Sequence, residues 1–310
     1  MAKGAKHRKS FFAELRQYRS VYVLLLPALL YTIVFGYCTI PYMVIAFEKF
    51  NFRMGIRSPW AGLENFKFFF GSTRAMQVTW NTVSLNSMYL IVDTISALIV
   101  ALTINECAFR RYAKRMQAIM LFPHFLSWVI VSYILYALLS REYGLVNRIM
   151  EMAGLSPVNW YNNARYWPGI LVITHMLKTV GYNSVIYLAA ITGIDENIYE
   201  AAIIDGASDL QRITRITIPL LMPTVCVLSL LAIGKLFTGD FTMYYSIIKD
   251  NGILLSTTDV IDTYVFRMLR STGSPSMSMA IGMYQSVVGF VMVYSMNAVI
   301  RRFFPEGALF

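Results

Sequence analysis

The chain has 310 residues, of which 57% are hydrophobic and 14% charged, and a formal net charge of +10. Its mean hydropathy is +0.53. A soluble domain carries roughly a quarter charged residues, so this composition excludes a soluble protein and points to one built for a bilayer.

A basic segment, "MAKGAKHRKS", opens a tail over residues 1–20. Residues 21–47 then run without a charge. A helix rises about 1.5 Å per residue, so about 20 apolar residues cross a hydrocarbon core of about 30 Å. The run therefore spans. It is too long, and too interrupted by Pro27 and Pro41, for a cleaved signal sequence. Five more apolar runs, near 78–104, 116–139, 166–190, 217–239 and 277–300, predict five further spans. None alternates with period two, as strands of a membrane barrel do. The predicted fold is an all-α membrane protein, with a six-helix domain over 21–300 and a C-terminal tail over 301–310.

Orientation follows from where Lys and Arg fall. With the N-terminus inside, the interior segments (1–20, 105–115, 191–216, 301–310) hold 14 basic residues in 67 positions, and the exterior ones (48–77, 140–165, 240–276) hold 11 in 93. Both termini are thus expected in the cytoplasm. The positive charge is mainly a topology signal. No stacking aromatics are interleaved with the basic tail, so nucleic acid is not an expected partner. Cys38 and Cys226 fall in spans and Cys107 in a cytoplasmic loop, a pattern of neither disulfide framework nor metal site.

Catalytic signatures are missing as well. The chain holds no GxxxxGK[ST] phosphate loop, HExxH, GxSxG or paired-Cys zinc spacing. His7, His124 and His175 stand far apart in sequence. Energy for any work the chain does must come from another subunit or from an ion gradient. No enzyme activity, cofactor or metal is expected of this chain.

The stretch "YEAAIIDGASDLQRITRITIPLLMP", residues 199–223, is polar between two greasy runs. Asp195 can cap a helix running to about Ile204, Gly206 is a natural left-handed stop, and Ser208 with Gln211 makes a capping box. A second helix carrying Arg212 and Arg215 is predicted to end before Pro219. The result is a rigid cytoplasmic protrusion over 191–219. An amphipathic hairpin resting on the bilayer surface fits the same residues.

Glu200-Ala201-Ala202, three residues, Gly206, nine residues and Ile216-x-Ile218-Pro219 resemble the EAA loop of binding-protein-dependent ABC importer permeases. That family has Leu before the Pro, where this chain has Ile218. "GLENFKFFF" (62–70), "STTDVIDTYVFRMLRSTG" (256–273) and "AIGMYQSVVGF" (280–290) resemble the LplB-type branch of the maltose-permease-like sugar family. The resemblance implies a six-transmembrane-helix type I ABC importer permease with a cytoplasmic EAA coupling helix. Glu200, Ala201, Ala202, Asp205, Gly206 and Arg212 would then couple to the ATPase. It also implies a second, non-identical permease, a dimeric ABC ATPase and an extracytoplasmic solute-binding protein. The cargo it implies is an oligosaccharide, with alginate-type acidic chains among the candidates. The location would be the bacterial cytoplasmic (inner) membrane, with multiple passes in contact with lipid.

Ionisable residues inside spans are costly and face a cavity or a partner. Here they are Asp93, His175, Lys178 and Lys235. His175 and Lys178 share a helix face. Lys178 can pair with Asp93, and Lys235 can snorkel to the outer interface. Alternatively, His175, Lys178 and Lys235 line a path for an anionic sugar, with Asn183 and Tyr187, one turn apart, supplying hydroxyl and ring contacts. Trp60, Trp80 and Trp167 are expected as interface anchors. The competing classes are a permease for another solute, a secondary transporter with Asp93 as proton site, and a membrane enzyme. Inverted repeats, common in secondary transporters, are not visible here.

Overall fold

The computed structural model describes residues 18–106 and 110–303. The basic tail as far as residue 17, Cys107 and the C-terminal tail from residue 304 lie outside the described residues. Helix dominates. Two isolated antiparallel bridges, Glu48 with Trp60 and Asn51 with Gly55, are the only β-type pairings among the described residues.

Helix α1 (Arg19–Thr32) continues through a π turn, Ile33–Tyr37, and a 3-10 segment, Ile40–Phe47. It is apolar all round and none of its residues is buried, as befits a helix whose solvent is lipid. Only the Ile40–Phe47 end packs inward, burying Ile45 and Ala46. After α2 (Glu64–Phe70), the Ser72 hydroxyl accepts from the Ala75 amide and starts α3 (Thr73–Asn105). Helix α4 (Arg110–Leu121) leads into a 3-10 turn, Phe122–Phe125, and then α5 (Trp128–Leu139). Helix α6 (Leu145–Met152) lies between α5 and the long α7 (Trp167–Ile191). Next come α8 (Glu196–Ile204), α9 (Asp209–Arg212) and α10 (Ile218–Ile233). The chain closes with α11 (Phe241–Ile248), α12 (Leu255–Thr258), α13 (Ile261–Thr272) and α14 (Pro275–Phe303).

Four stretches are long and apolar enough to cross a membrane: Arg19–Phe47, Thr73–Asn105, Asp209–Ile233 and Pro275–Arg302. A fifth is the bent pair Tyr112–Phe125 and Trp128–Leu139. Helix α7 has 25 residues, about 37 Å at 1.5 Å each. It is long enough to cross, but it carries His175, Lys178, Asn183 and Ser184.

Three expectations need correction. The run at 116–139 is not one straight span but turns through 100° at Phe125–Trp128. The run at 217–239 starts earlier and stops earlier. Its helix is continuous from Asp209 through a π turn, Ile213–Thr217, and ends at Ile233. The second helix of the polar stretch therefore does not stop before Pro219. A proline inside a helix removes one i→i−4 hydrogen bond, and the π turn Ile213–Thr217 directly before Pro219 is where the regular ladder shifts without the helix ending. Trp167 is not an interface anchor. It is 0% exposed and its Nε1 donates to the Trp160 carbonyl at 2.8 Å, whereas Trp60 and Trp80 are exposed.

Lipid tails are as apolar as leucine, so spans associate through close packing and interhelical polar contacts. The α3–α7 pair shows both. Ala97 and Ala101 are fully buried on α3, and small side chains there admit α7. A Cβ on Gly181 of α7 would lie 1.9 Å from the Met120 carbonyl oxygen, so only glycine permits that approach to α4. A cap of loops closes one end. Asn147 accepts from the Val158 amide, Asn81 donates to the Asp259 carbonyl and Asn251 donates to the Tyr161 carbonyl. Beneath Asn81, Asp259 pairs with Arg267. Burial pushes the Asp259 carboxyl up and Arg267 draws it back.

Candidate functional site

One helix break lines a cavity of about 400 Å³, and a second adjoins it through the Trp128 indole, which donates to Asp240. Between Ile233 and Phe241 the chain leaves α10, and the helical ladder lapses at the Leu236 and Phe237 carbonyls. Side chains from distant helices take its place. Asn86 of α3 donates to the Leu236 carbonyl at 2.7 Å, and Gln285 of α14 donates to the Phe237 carbonyl. Asp262 accepts from the Gly239 amide at 2.6 Å. Burial raises the Asp262 carboxyl, and the Gly239 and Gln285 donors pull it back. At the second break, Lys178 Nζ donates to the carbonyls of His124 at 2.7 Å and Leu126 at 2.6 Å. It also stands 5.1 Å over the Trp128 ring. Irregular backbone in a membrane protein is tolerated where protein groups satisfy it or where it lines a cavity; the break after α10 meets both conditions, and Lys178 satisfies the bend at 124–126.

Helix α3 presents Asn86, Tyr89 and Asp93 to the cavity, and α7 presents His175, Asn183 and Tyr187. These spacings keep each set on one helix face. Lys235 and Asp240 enter from the break after α10. His175 Nδ1 sits 2.9 Å from Asp93 Oδ2. Its N–H is not aimed at that oxygen, and neither Nδ1 nor Asp93 Oδ1 has an aligned hydrogen-bond partner. The pair is thus a charge contact when the imidazole is protonated. The His175 ring stacks on Tyr89 at 4.5 Å, and the Tyr244 hydroxyl donates to that of Tyr89 at 3.0 Å. Asp240 accepts from the Trp128 indole and the Met243 amide.

Four of the five residues expected at a substrate path, His175, Asn183, Tyr187 and Lys235, line this one cavity. Lys178 does not, because the bend in the α4–α5 span engages it. Asp93 meets His175 rather than Lys178. Lys235 has no carboxylate at ion-pair distance among the described residues. Sequence reasoning missed Asn86, Tyr89 and Asp240. A polar stripe at 86, 89 and 93 on an apolar span was the signal for the first two.

At the far end of α10 stands the polar protrusion. The Asp195 side chain accepts from the Asn197 amide and starts α8. Gly206 has φ +79°. Around it the Gly206 amide donates to the Ile203 carbonyl and the Ala207 amide to the Ala202 carbonyl, the paired bonds of a Schellman stop. Ser208 and Gln211 form the reciprocal capping box. Glu200, Ala201, Asp205 and Gly206 are exposed on the knob, while Ala202 and Arg212 are half-buried. Arg212 pairs with Asp209. Ile204 is 85% and Leu210 69% exposed on this otherwise polar element. Tyr199 Oη lies 2.9 Å from Thr217 Oγ1 and ties α8 to the root of α10.

A bundle of apolar spans, with a polar cavity at helix breaks and a rigid protruding knob, defines a membrane transport subunit rather than an enzyme. Residues 94–305 match the family described as binding-protein-dependent transport system inner membrane component, and the chain belongs to that family. It is 33% identical to Protein LplB of Bacillus subtilis (strain 168) over 96% of this chain and 93% of that one. It is 31% identical to the polygalacturonan/rhamnogalacturonan transport system permease protein YteP of the same organism, over 97% and 93%. Its fold matches a chain in the crystal structure of a bacterial alginate ABC transporter in complex with alginate pentasaccharide-bound periplasmic protein. That match has a TM-score of 0.86 and 29% identity, and covers 94% of this chain and 98% of the other.

Proposed function

We propose that this chain is one of two non-identical permease subunits of an ATP-driven importer of oligosaccharides, uronate-type acidic chains among them. In this reading it makes six passes of the bacterial cytoplasmic (inner) membrane, with α7 as the fourth span in chain order and both termini inside. One permease domain, residues 21–300, contains the coupling loop 191–219. The observation that carries the reading is α10. The continuous helix Asp209–Ile233 runs about 37 Å from the exposed knob to the break beside Lys235, so a push at one end reaches the cavity at the other. A dimeric ABC ATPase receives the knob at Ile204 and Leu210, and a solute-binding protein delivers cargo outside. Alginate, the cargo of the structural relative, is described as an acidic polysaccharide, and Lys235 is a cation free to meet a carboxylate.

Topology offers the first test. In a background without native cysteines, a cysteine at Ser156 is expected to react with an impermeant thiol reagent on intact cells. One at Ser208 is expected to react only after permeabilisation. Both positions are exposed. The reverse pattern would put the knob beyond the reach of any ATPase.

Cargo charge offers the second. Unit charges 4 Å apart at an effective dielectric of 20 attract by about 4 kcal/mol before desolvation. A net loss of about 1–2 kcal/mol is expected when Lys235→Met removes the cation while keeping much of the volume. Uptake of a uronate oligosaccharide should then need roughly tenfold more substrate, while its carboxyl-reduced counterpart is unaffected. Equal effects on the two would remove Lys235 from cargo recognition.

A further inference from the structure

A second groove, sharing no lining residue with the central cavity, lies between α5 and the end of α11. It encloses about 440 Å³ and continues into a neighbouring hollow of about 470 Å³. Tyr133 and Tyr136 stand exposed on its α5 wall. Tyr161 closes one end, its ring 5.7 Å from Tyr136, and Ser132, Ser246 and Asn251 supply hydrogen-bonding groups. Ring faces beside a few polar groups make a lining suited to a small ligand with one apolar and one polar side. A pyranose ring has that character.

Lys249 sets the charge of this groove. It caps the C-terminus of α11 with φ 54° and ψ −137°, and it is the one non-glycine residue with positive φ among the described residues. Backbone strain of this kind persists where surrounding structure holds it, and it concentrates at ligand sites. Here it brings Nζ to 5.7 Å from the Tyr133 ring centre. No carboxylate stands at ion-pair distance from it among the described residues. The adjacent Asp250 is taken by Arg270 at 3.5 Å, so the groove's acid is matched and its lysine is not.

We propose that this groove is a receiving subsite for one uronosyl unit of the incoming chain, with the Lys249 ammonium meeting the carboxylate and the Tyr133 and Tyr136 rings meeting the sugar face. It rests on the acidic-oligosaccharide reading above and adds a contact outside the central cavity. An anionic lipid headgroup could satisfy Lys249 as well, and the test below excludes it by the choice of bilayer.

The test uses the complete transporter in nanodiscs of phosphatidylcholine alone, so that no anionic lipid competes. Amine acetylation is read residue by residue by peptide mass spectrometry, with alginate pentasaccharide or its carboxyl-reduced counterpart as probe. Acetylation of Lys249 is expected to slow at least fivefold with the acidic chain only, while that of exposed Lys67 is unchanged. Lys249→Gly suits the positive φ better than any residue with a Cβ, so it removes the charge without loss of fold. In reconstituted vesicles it is expected to weaken uptake of the acidic chain about fivefold, the scale of about 1 kcal/mol for a partly exposed charge pair, and to leave the neutral chain alone. If the wild type imports the acidic chain while Lys249 stays unprotected, or Lys249→Gly affects both chains alike, the subsite is overturned and the importer reading stands. If the wild type imports no uronate chain, the acidic-cargo reading falls and the subsite falls with it.

Discussion

Gly206→Val is expected to abolish uptake and cargo-stimulated ATP hydrolysis together, in a subunit that still inserts and assembles. The reason is local. Gly206 holds φ +79° with open space where a Cβ would go, so nothing clashes across the fold. The backbone itself resists, because a residue with a Cβ in the left-handed region costs roughly 1–2 kcal/mol, and β-branching adds to that. The Schellman stop then fails and α9 leaves α8 at another angle. Because α9 runs unbroken into α10, the error passes from the tip to the cavity. Gly206→Asn should keep most activity, since asparagine tolerates the left-handed conformation. Normal stimulated hydrolysis in a well-assembled Gly206→Val complex would detach the knob from coupling.

Lys178→Met is expected to have the larger effect on folding. Lys178 satisfies two carbonyls at the bend between α4 and α5 with short bonds from an ammonium. A hydrogen bond to a charged group contributes about 1.5–3 kcal/mol, so loss of both costs roughly 3 kcal/mol or more and leaves bare carbonyls at membrane depth. The variant should show reduced yield of assembled complex and a lowered unfolding temperature. Asp93→Asn should not restore it, because Asp93 faces His175. Recovery in the Lys178→Met, Asp93→Asn double variant would return Lys178 to Asp93 and contradict the role at the bend.

These two residues also mark what the sequence does and does not disclose. The knob was legible because its rules are local: Asp195, Gly206, Ser208 and Gln211 each act on backbone within three or four residues. Four long apolar helices and the bent pair were legible as apolar runs. Their breaks were not, because an apolar run reads the same whether its helix is straight or bent through 100°. Helices end there because partners lie far along the chain: Asn86 and Gln285 for 236–237, and Lys178 for 124–126. Pro123, Gly234 and Gly239 were the only local signals. Trp167 was misjudged for a related cause, since a tryptophan at a span end looks alike whether lipid or the cap loops cover it. In the cavity, chemical type was readable and partnership was not. His175 and Asp93 stand out as polar residues in apolar runs, but only the packing of α3 on α7 brings them together.

The most direct measurement of the central claim is uptake by proteoliposomes holding the complete transporter, supplied with its solute-binding protein and alginate pentasaccharide outside. Uptake is expected with ATP enclosed, none with ADP, and no change when the proton gradient is collapsed. Uptake that continues without ATP and follows the proton gradient would contradict an ATP-driven importer and return Asp93 to the role of a proton site.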